Sequence, residues 1–185
     1  MRVPSRSLVF NIAAVAAICG ACSSAQRKDS VASGSAILYN VGGTPVGTAQ
    51  LWQDKNGLVY VDVASITLPA GTHGIHFHEA GKCDGSTSTP FSTAGAHYNP
   101  MGKEHGLQNP NGPHAGDNPN LVIPASGVGK VAFSTDRVSL TPGTASLFDA
   151  DGSSLVIHAA ADDQVTNPSG NSGARIACGV VRALP

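Results

Sequence analysis

A strict alternation of side chains over residues 57–68 limits the possible folds of this chain more than any other feature. Val59, Val61 and Val63 stand at every second position, so they share one face of an extended strand. No window has a convincing helical period, and the 22 glycines and 12 prolines among 185 residues favour many turns and little helix. The sequence therefore predicts an all-β fold, an antiparallel sandwich or barrel.

About eight short stretches have this strand character, and glycine-rich turns separate several of them. We predict strands over residues 35–41, 45–53, 57–68, 74–78, 127–133, 137–140, 154–158 and 175–182. Two connections are far longer, residues 79–124 and 159–174. Loops beyond about 12 to 15 residues in a compact domain are usually functional or disordered. Because these two contain or adjoin most of the histidines, we expect both to be functional.

The first 21 residues predict a targeting segment. Arg2 and Arg6 form a positive start, and an apolar run over residues 8–18 follows them. This run is too short to span a bilayer comfortably, so a cleaved signal peptide is the better interpretation. We therefore expect residues 1–21 to be a signal peptide of the lipoprotein type.

Cys22 is the predicted point of attachment to a membrane. Small residues precede it, as in a bacterial lipobox, so we expect a lipid on Cys22; cleavage after Ala25, which would release a soluble protein, is the alternative. Residues 22–34 are small and polar and predict a flexible tether before a domain over residues 35–185. We expect an exported protein of the bacterial periplasm or cell envelope, held to a membrane only by its anchor.

Cys83 and Cys178 are the two cysteines of the predicted domain. Exported chains meet an oxidising compartment, so we expect a disulfide between them, and two buried free thiols are the alternative. In the chain-entropy model, a bond that closes so long a loop stabilises the fold by about 4 to 5 kcal/mol.

Seven histidines, all beyond the tether, carry the functional signal. His76 and His78 lie two apart on a predicted strand, so both imidazoles share one face and can meet one metal. The first long loop has little apolar content, so it needs something else to order it. Three imidazoles and one carboxylate form a standard tetrahedral zinc shell. The loop offers such a set at separations of 8, 9 and 3: His97, His105, His114 and Asp117.

Five segments of the chain resemble the copper/zinc superoxide dismutases of bacterial type. They are residues 74–79 (GIHFHE), 94–100 (AGAHYNP), 102–106 (GKEHG), 114–117 (HAGD) and 170–179 (GNSGARIACG). The resemblance runs from about residue 35 to the C-terminus. It implies an antiparallel Greek-key β-sandwich or flattened barrel of about eight strands with two long functional loops. It also implies dismutation of superoxide to dioxygen and hydrogen peroxide, with one copper ion and one zinc ion per subunit.

The resemblance implies a ligand set for each ion. Copper would be bound by His76, His78, His97 and His158. Zinc would be bound by His97, His105, His114 and Asp117. His97 would therefore bridge the two ions as an imidazolate, because two flanking dications favour loss of the second ring proton.

Further roles around the ions also follow from the resemblance. Asp162 matches the carboxylate that joins a copper-binding histidine to a zinc-binding one and fixes their tautomers. Arg175 would attract superoxide, since a guanidinium keeps its charge at every relevant pH. Ser169 would narrow the channel to copper, and the disulfide would hold the segment after Arg175. His73 is outside the ligand pattern, and we expect it to form a structural hydrogen bond beside the copper strand.

Other functions deserve comparison. A non-catalytic copper/zinc-binding β-sandwich protein should lack a copper ligand or the anion-guiding arginine, whereas this chain keeps all of them. A structural sandwich of adhesion type would bind no metal, and a hydrolytic zinc enzyme needs an open zinc position that four protein ligands would fill here. The net charge of −1 and 5% aromatic content indicate no nucleic-acid partner. Superoxide is the expected substrate, and a homodimer is as plausible as a monomer.

Overall fold

A computed structural model describes residues 29–185, so the predicted signal peptide, Cys22 and the first part of the tether lie outside the described residues. Within residues 29–185, no helix is long and apolar enough to cross a membrane, and the only helical turn is Ser92–Ala94. The strands of this part are β1 (Ala32–Asn40), β2 (Pro45–Gln53), β3 (Val59–Ser65), β4 (Gly71–His73), β5 (Ile75–His78), β6 (Leu121–Ile123), β7 (Lys130–Thr135), β8 (Ser154–His158), β9 (Arg175–Val180) and β10 (Arg182–Ala183).

Most of the strands form one antiparallel sheet, in the order β5-β8-β9-β1-β2-β3-β7, with β10 beside β1. β4 and β6 form a separate two-stranded ribbon. From β3 the chain crosses to β5 at the far end of the sheet, and it later returns to β7 beside β3. Such long returns are those of a Greek key. The predicted all-β, antiparallel fold is confirmed.

The core lies on the inner face of this curled sheet. Val59, Val61 and Val63 are at most 1% exposed, so the face that their alternation predicts is the buried one. They pack against Leu38 of β1 and Leu51 of β2 in one continuous cluster. Burial of each such side chain contributes about 1.5–3 kcal/mol. The sheet is therefore a firm base for the loops that it carries.

The structure corrects the predicted strands in several places, and β4 lies outside every predicted strand. β1 begins at Ala32 rather than at residue 35, because Ser33 and Gly34 pair with β2 and β10 although their composition resembles a tether. Residues 137–140 are not a strand: the main-chain N–H of Leu140 donates to the side chain of Gln53 at 2.7 Å instead of to a neighbouring strand. β6 falls inside the predicted first loop, where three residues are too few to give a periodic signal.

The disulfide between Cys83 and Cys178 is present, as predicted, with the two Cα atoms 5.6 Å apart. It joins the first long loop to β9. Beside it, Phe91 and Ala94 of the loop pack against Val156 of β8 in a second, smaller buried cluster. This part of the loop is therefore fixed to the sheet both covalently and by apolar contacts.

Candidate metal centre

β5 presents two histidines to the loops. Its residues alternate between two faces, and Ile75 and Phe77 belong to the apolar core. His76 and His78 occupy the other face, where both are fully buried. The cover over them must come from the loops, because β5 lies at one end of the sheet.

The first loop pairs with the free edge of β5 and so brings distant ligands to it. The main-chain N–H of Phe77 donates to the carbonyl of Gly116 at 2.9 Å, and that of Tyr98 donates to the carbonyl of Phe77 at 2.8 Å. These bonds place His97 opposite His78 and place Asp117 opposite His76. Only a glycine fits at position 116, because a Cβ there would run into the carbonyl oxygen of Phe77.

His158 comes to the same place from β8. The pairing of β8 with β9 shifts register between Ile157 and His158, an irregularity of the kind that often redirects a side chain beside an active site. As a result, ligand atoms of four buried residues lie within 4.8 Å of one another: His76, His78, His97 and His158. A second group meets the same limit and shares two members with the first: His76, His97, His105 and Asp117.

Three imidazole nitrogens surround one carboxylate oxygen of Asp117. Its Oδ1 lies 3.0 Å from Nδ1 of His105, 3.1 Å from Nδ1 of His97 and 3.3 Å from Nδ1 of His114. The contacts of His105 and His114 lack hydrogen-bond geometry, so these two buried nitrogens have no hydrogen-bond partner in residues 29–185. In a tetrahedral zinc site with bonds near 2.0 Å, neighbouring ligand atoms are about 3.3 Å apart. The three distances from Asp117 Oδ1 are therefore close to those between neighbouring ligand atoms of a zinc site.

The other imidazoles are oriented by their outer nitrogens. His78 donates from Nδ1 to the carbonyl of Gly95 at 3.0 Å, and His158 donates from Nδ1 to that of Gly173 at 3.1 Å. The inner nitrogens, Nε2 of His78, Nε2 of His158 and Nδ1 of His76, are buried without a hydrogen-bond partner in the described chain. Unpaired buried nitrogens are costly. A metal ion would satisfy these three imidazole nitrogens, and imidazole is a ligand that suits copper.

Asp162 joins the two groups. It accepts hydrogen bonds from Nε2 of His76 at 2.7 Å and from Nε2 of His105 at 3.0 Å. Because Nε2 of His76 is used in this way, Nδ1 is the atom that remains for a metal. Asn120 in turn holds Asp162, with reciprocal bonds of 2.8 and 2.9 Å between its side-chain amide and the Asp162 main chain. Sequence reasoning missed Asn120, because a single asparagine in a loop has no distinguishing pattern.

Burial and charge give the histidines of this centre different protonation states. Burial lowers the pKa of His97 to about 4 and that of His158 to about 3, so both are neutral at pH 7. Burial also acts to lower the pKa of His105, but attraction to the carboxylates of Asp117 and Asp162 outweighs it and raises the pKa to about 9. The same attraction outweighs burial at both carboxylates and holds their pKa below the usual value. Neutral imidazoles and ionised carboxylates are the forms that bind metals, so His105 must lose a proton when a metal binds to it.

Arg175 and the remaining predicted residues lie around this centre. Arg175 donates to the carbonyls of Phe91 and Gly95, both at 2.6 Å, and the carbonyl of Gly95 also accepts from His78. Ser169 is half-buried in the second loop. The ring nitrogens of His73 lie 2.7 Å from the carbonyl of His158 and 3.0 Å from that of Pro69, in agreement with a structural role.

Comparisons with known proteins agree with this arrangement. A sequence profile of the copper/zinc superoxide dismutases (SODC) matches residues 46–181. A copper/zinc superoxide dismutase of Aquifex aeolicus is 43% identical over 148 residues, which cover 80% of this chain and 86% of that protein. A superoxide dismutase-like protein of Bacillus subtilis is 42% identical over 146 residues, covering 78% and 73%.

Solved structures agree as well. The crystal structure of a superoxide dismutase-like protein from Bacillus subtilis superposes with a TM-score of 0.72 at 38% identity, covering 79% of this chain and 96% of the other. Fold, sequence and the grouping of buried histidines thus point the same way. The chain belongs to the copper/zinc superoxide dismutase family.

Proposed function

We propose that this protein converts two superoxide anions and two protons into one dioxygen and one hydrogen peroxide. The observation that carries the proposal is the pair of buried ligand groups that share His76 and His97. One copper ion and one zinc ion per subunit would be held there. Copper, when bound, supplies the one-electron oxidation and reduction, while zinc has no redox chemistry and serves to order its ligands.

The contacts support the ligand sets that the family resemblance implies. Zinc would be held by Nδ1 of His97, His105 and His114 and by Oδ1 of Asp117, which lies 3.0 to 3.3 Å from the three nitrogens. Since Nδ1 of His97 faces Asp117, its Nε2 remains for the copper end, beside the inner nitrogens of His76, His78 and His158. His97 would thus use both ring nitrogens and hold a proton at Nε2 in one half of the cycle. That proton would pass to the departing peroxide in the other half.

Arg175 would guide the anion. Two carbonyls fix its guanidinium, so the positive charge has a defined position next to a copper-end histidine. A fixed cation beside a site raises the rate at which anions arrive. Ser169, in the second loop, would narrow the approach so that small anions are favoured.

The test is metal content and superoxide dismutation of the purified mature protein, with His97→Ala alongside it. We expect one copper and one zinc in the parent, and a loss of at least about a hundredfold in rate in His97→Ala, as for the removal of a proton-transfer group. Arg182→Gln, at an exposed position of β10, is the matched surface control and should keep the parent rate. Bound metals without dismutation in the parent would favour the non-catalytic metal-binding protein instead.

We also propose export and a lipid anchor at Cys22, because the lipobox-like sequence precedes a domain with a disulfide. The substitution Cys22→Ala should move the protein from the membrane to the soluble fraction, which fractionation of the producing cells measures. Retention on the membrane would contradict the anchor, and an intact mass that begins after Ala25 would support the alternative cleavage. Sedimentation of the mature protein then decides between the monomer and the homodimer.

A further inference from the structure

Arg137 reaches the metal centre from outside the ligand set. Its Nη2 donates to the main-chain carbonyl of Asp117 at 2.6 Å, and the side chain is half-buried. A bond from a charged donor is stronger than one between neutral groups. The residue follows β7, on the far side of the sheet order from β5, and nothing in the family resemblance assigns it a role.

Asp117 depends strongly on the position of its main chain. Its Oδ1 lies among three imidazoles, and its Oδ2 accepts from the main-chain N–H groups of Gly106 and His114 at 2.8 and 2.9 Å. A carboxylate with so many simultaneous contacts tolerates little displacement of the Cα to which it is attached. A shift of the main chain at Asp117 would therefore disturb every contact of the carboxylate at once.

Of the hydrogen bonds described here to the main chain of Asp117 and Asn118, the one from Arg137 is the shortest. The N–H of Asp117 has only a longer bond, 3.3 Å, to the carbonyl of His114. The next carbonyl, that of Asn118, accepts a bond of 3.3 Å from Gln164. The Asn118 side chain is fully buried, and its amide atoms have no hydrogen-bond partner in the part of the chain that the structure describes. It therefore adds no hydrogen bond of its own to this segment.

Arg137 itself is attached to a rigid element. Its main-chain N–H donates to Oγ1 of Thr135 at 3.1 Å, and Thr135 is the last residue of β7, where it pairs with Val59 of β3. Val59 belongs to the core. The guanidinium thus connects the main chain of Asp117 to a part of the sheet that packs into the core.

We propose that Arg137 is a positioning residue of the zinc end, which holds the Asp117 main chain so that the carboxylate is in place before the ion arrives. This inference rests on the proposed zinc site. Residues that orient metal ligands from behind typically change metal affinity 10- to 100-fold when they are removed. Because Arg137 acts through the main chain, we expect the lower end of that range, a loss of about tenfold in zinc affinity.

The experiment compares Arg137→Gln, Arg137→Lys and the surface control Arg182→Gln. Zinc affinity is measured by competition with a chromophoric chelator on the copper-free mature protein with its disulfide intact. Arg137→Gln should bind zinc about tenfold more weakly, Arg137→Lys should lose less because it keeps a charged donor, and the control should equal the parent. The visible spectrum of cobalt bound in place of zinc should change in Arg137→Gln, whereas a merely structural role would leave it as in the parent.

Several outcomes would overturn the proposal. Zinc affinity of Arg137→Gln within twofold of the parent would do so, and so would an equal loss in Arg182→Gln. If Arg137→Gln does not fold, Arg137→Met, which also removes the charged donor, decides by the same two measurements and the same limits. A parent that binds no zinc at all would refute the proposed function itself, which distinguishes that failure from a failure of the arginine's role.

Discussion

Asp162 lies outside both proposed ligand sets and joins them through His76 and His105. Each of its two oxygens accepts one ring N–H, so both imidazoles are held with their other nitrogen facing inward. Asn120 fixes the main chain from which this carboxylate extends. Orientation of the ligands therefore depends on a residue that would bind neither ion.

We predict that Asp162→Asn weakens zinc binding by about 10- to 100-fold. An asparagine side chain offers one oxygen and one NH₂ group, and the NH₂ group cannot accept the N–H of the second imidazole. One of the two rings must then turn or lose its bond. Chelator competition on the purified protein measures the change.

Asp29→Asn is the matched control, because Asp29 is an exposed carboxylate with no part in the metal centre. It should leave zinc affinity unchanged. Equal affinities in Asp162→Asn and the parent would show that the two hydrogen bonds do not orient the ligands.

At the scale of elements, the close approach of the first loop to β5 decides whether the centre forms. We predict that Gly116→Ala lowers the melting temperature and reduces the content of both metals. The new Cβ would meet the carbonyl oxygen of Phe77 and the side chain of Tyr98 at 3.1 Å. Overpacking of this kind typically costs about 1–3 kcal/mol. Thermal unfolding and metal analysis check the two effects.

Gly42→Ala serves as the control, since a Cβ at this turn position has no contact closer than 3.5 Å, to the side chain of Asn40. It should fold and load metals as the parent does. A Gly116→Ala protein with normal metal content would mean that the loop can reach its ligand positions without pairing so closely with β5.

Strands were predictable wherever a pattern was long enough. The valines of β3 stand at every second position from 59 to 63, so their buried face could be identified from the sequence. β4 and β6 have three residues each, too few for any period to appear. At Ser33 and Gly34 the composition gave the wrong answer, because main-chain pairing with β2 and β10 does not require apolar side chains.

The site was predictable only in part. The spacing of His76 and His78 on a strand implies a shared face, and the structure places both there. That His158 and His97 come to the same point could be inferred only from the family resemblance, because it depends on loop pairing and on a register shift distant in sequence. Arg137 and Asn120 had no signal at all, since each acts on a main-chain group that any residue would offer.

For the whole molecule, we predict that the metal-free protein is most stable near pH 6.5. His97 and His158 have a pKa of about 4 and 3 in the folded state and about 6.5 when unfolded, so the unfolded chain binds more protons between these values. Stability is therefore lost as the pH falls below 6.5. His105, with a pKa of about 9, has the opposite effect, and its contribution is lost as the pH rises from 6.5 to 9.

Urea unfolding with a chelator present, at about pH 5, 6.5 and 9, measures this dependence. The midpoint should be highest at the middle value. His105→Gln should flatten the alkaline side and leave the acid side as it was. A midpoint that rises steadily up to pH 9 in the parent would contradict the role assigned to His105.

Pairing between the first loop and β5 has a consequence beyond catalysis. β5 is a terminal strand that bears Ile75 and Phe77, and the chain around Tyr98 and Gly116 is what caps its hydrogen-bonding groups. Bare strand edges are templates on which other polypeptides add. We expect removal of the ions to weaken this pairing, and we therefore expect the metal-free protein to form larger particles that light scattering detects. Addition of zinc should suppress the formation of these particles. The ion would then keep the protein soluble as well as order its ligands.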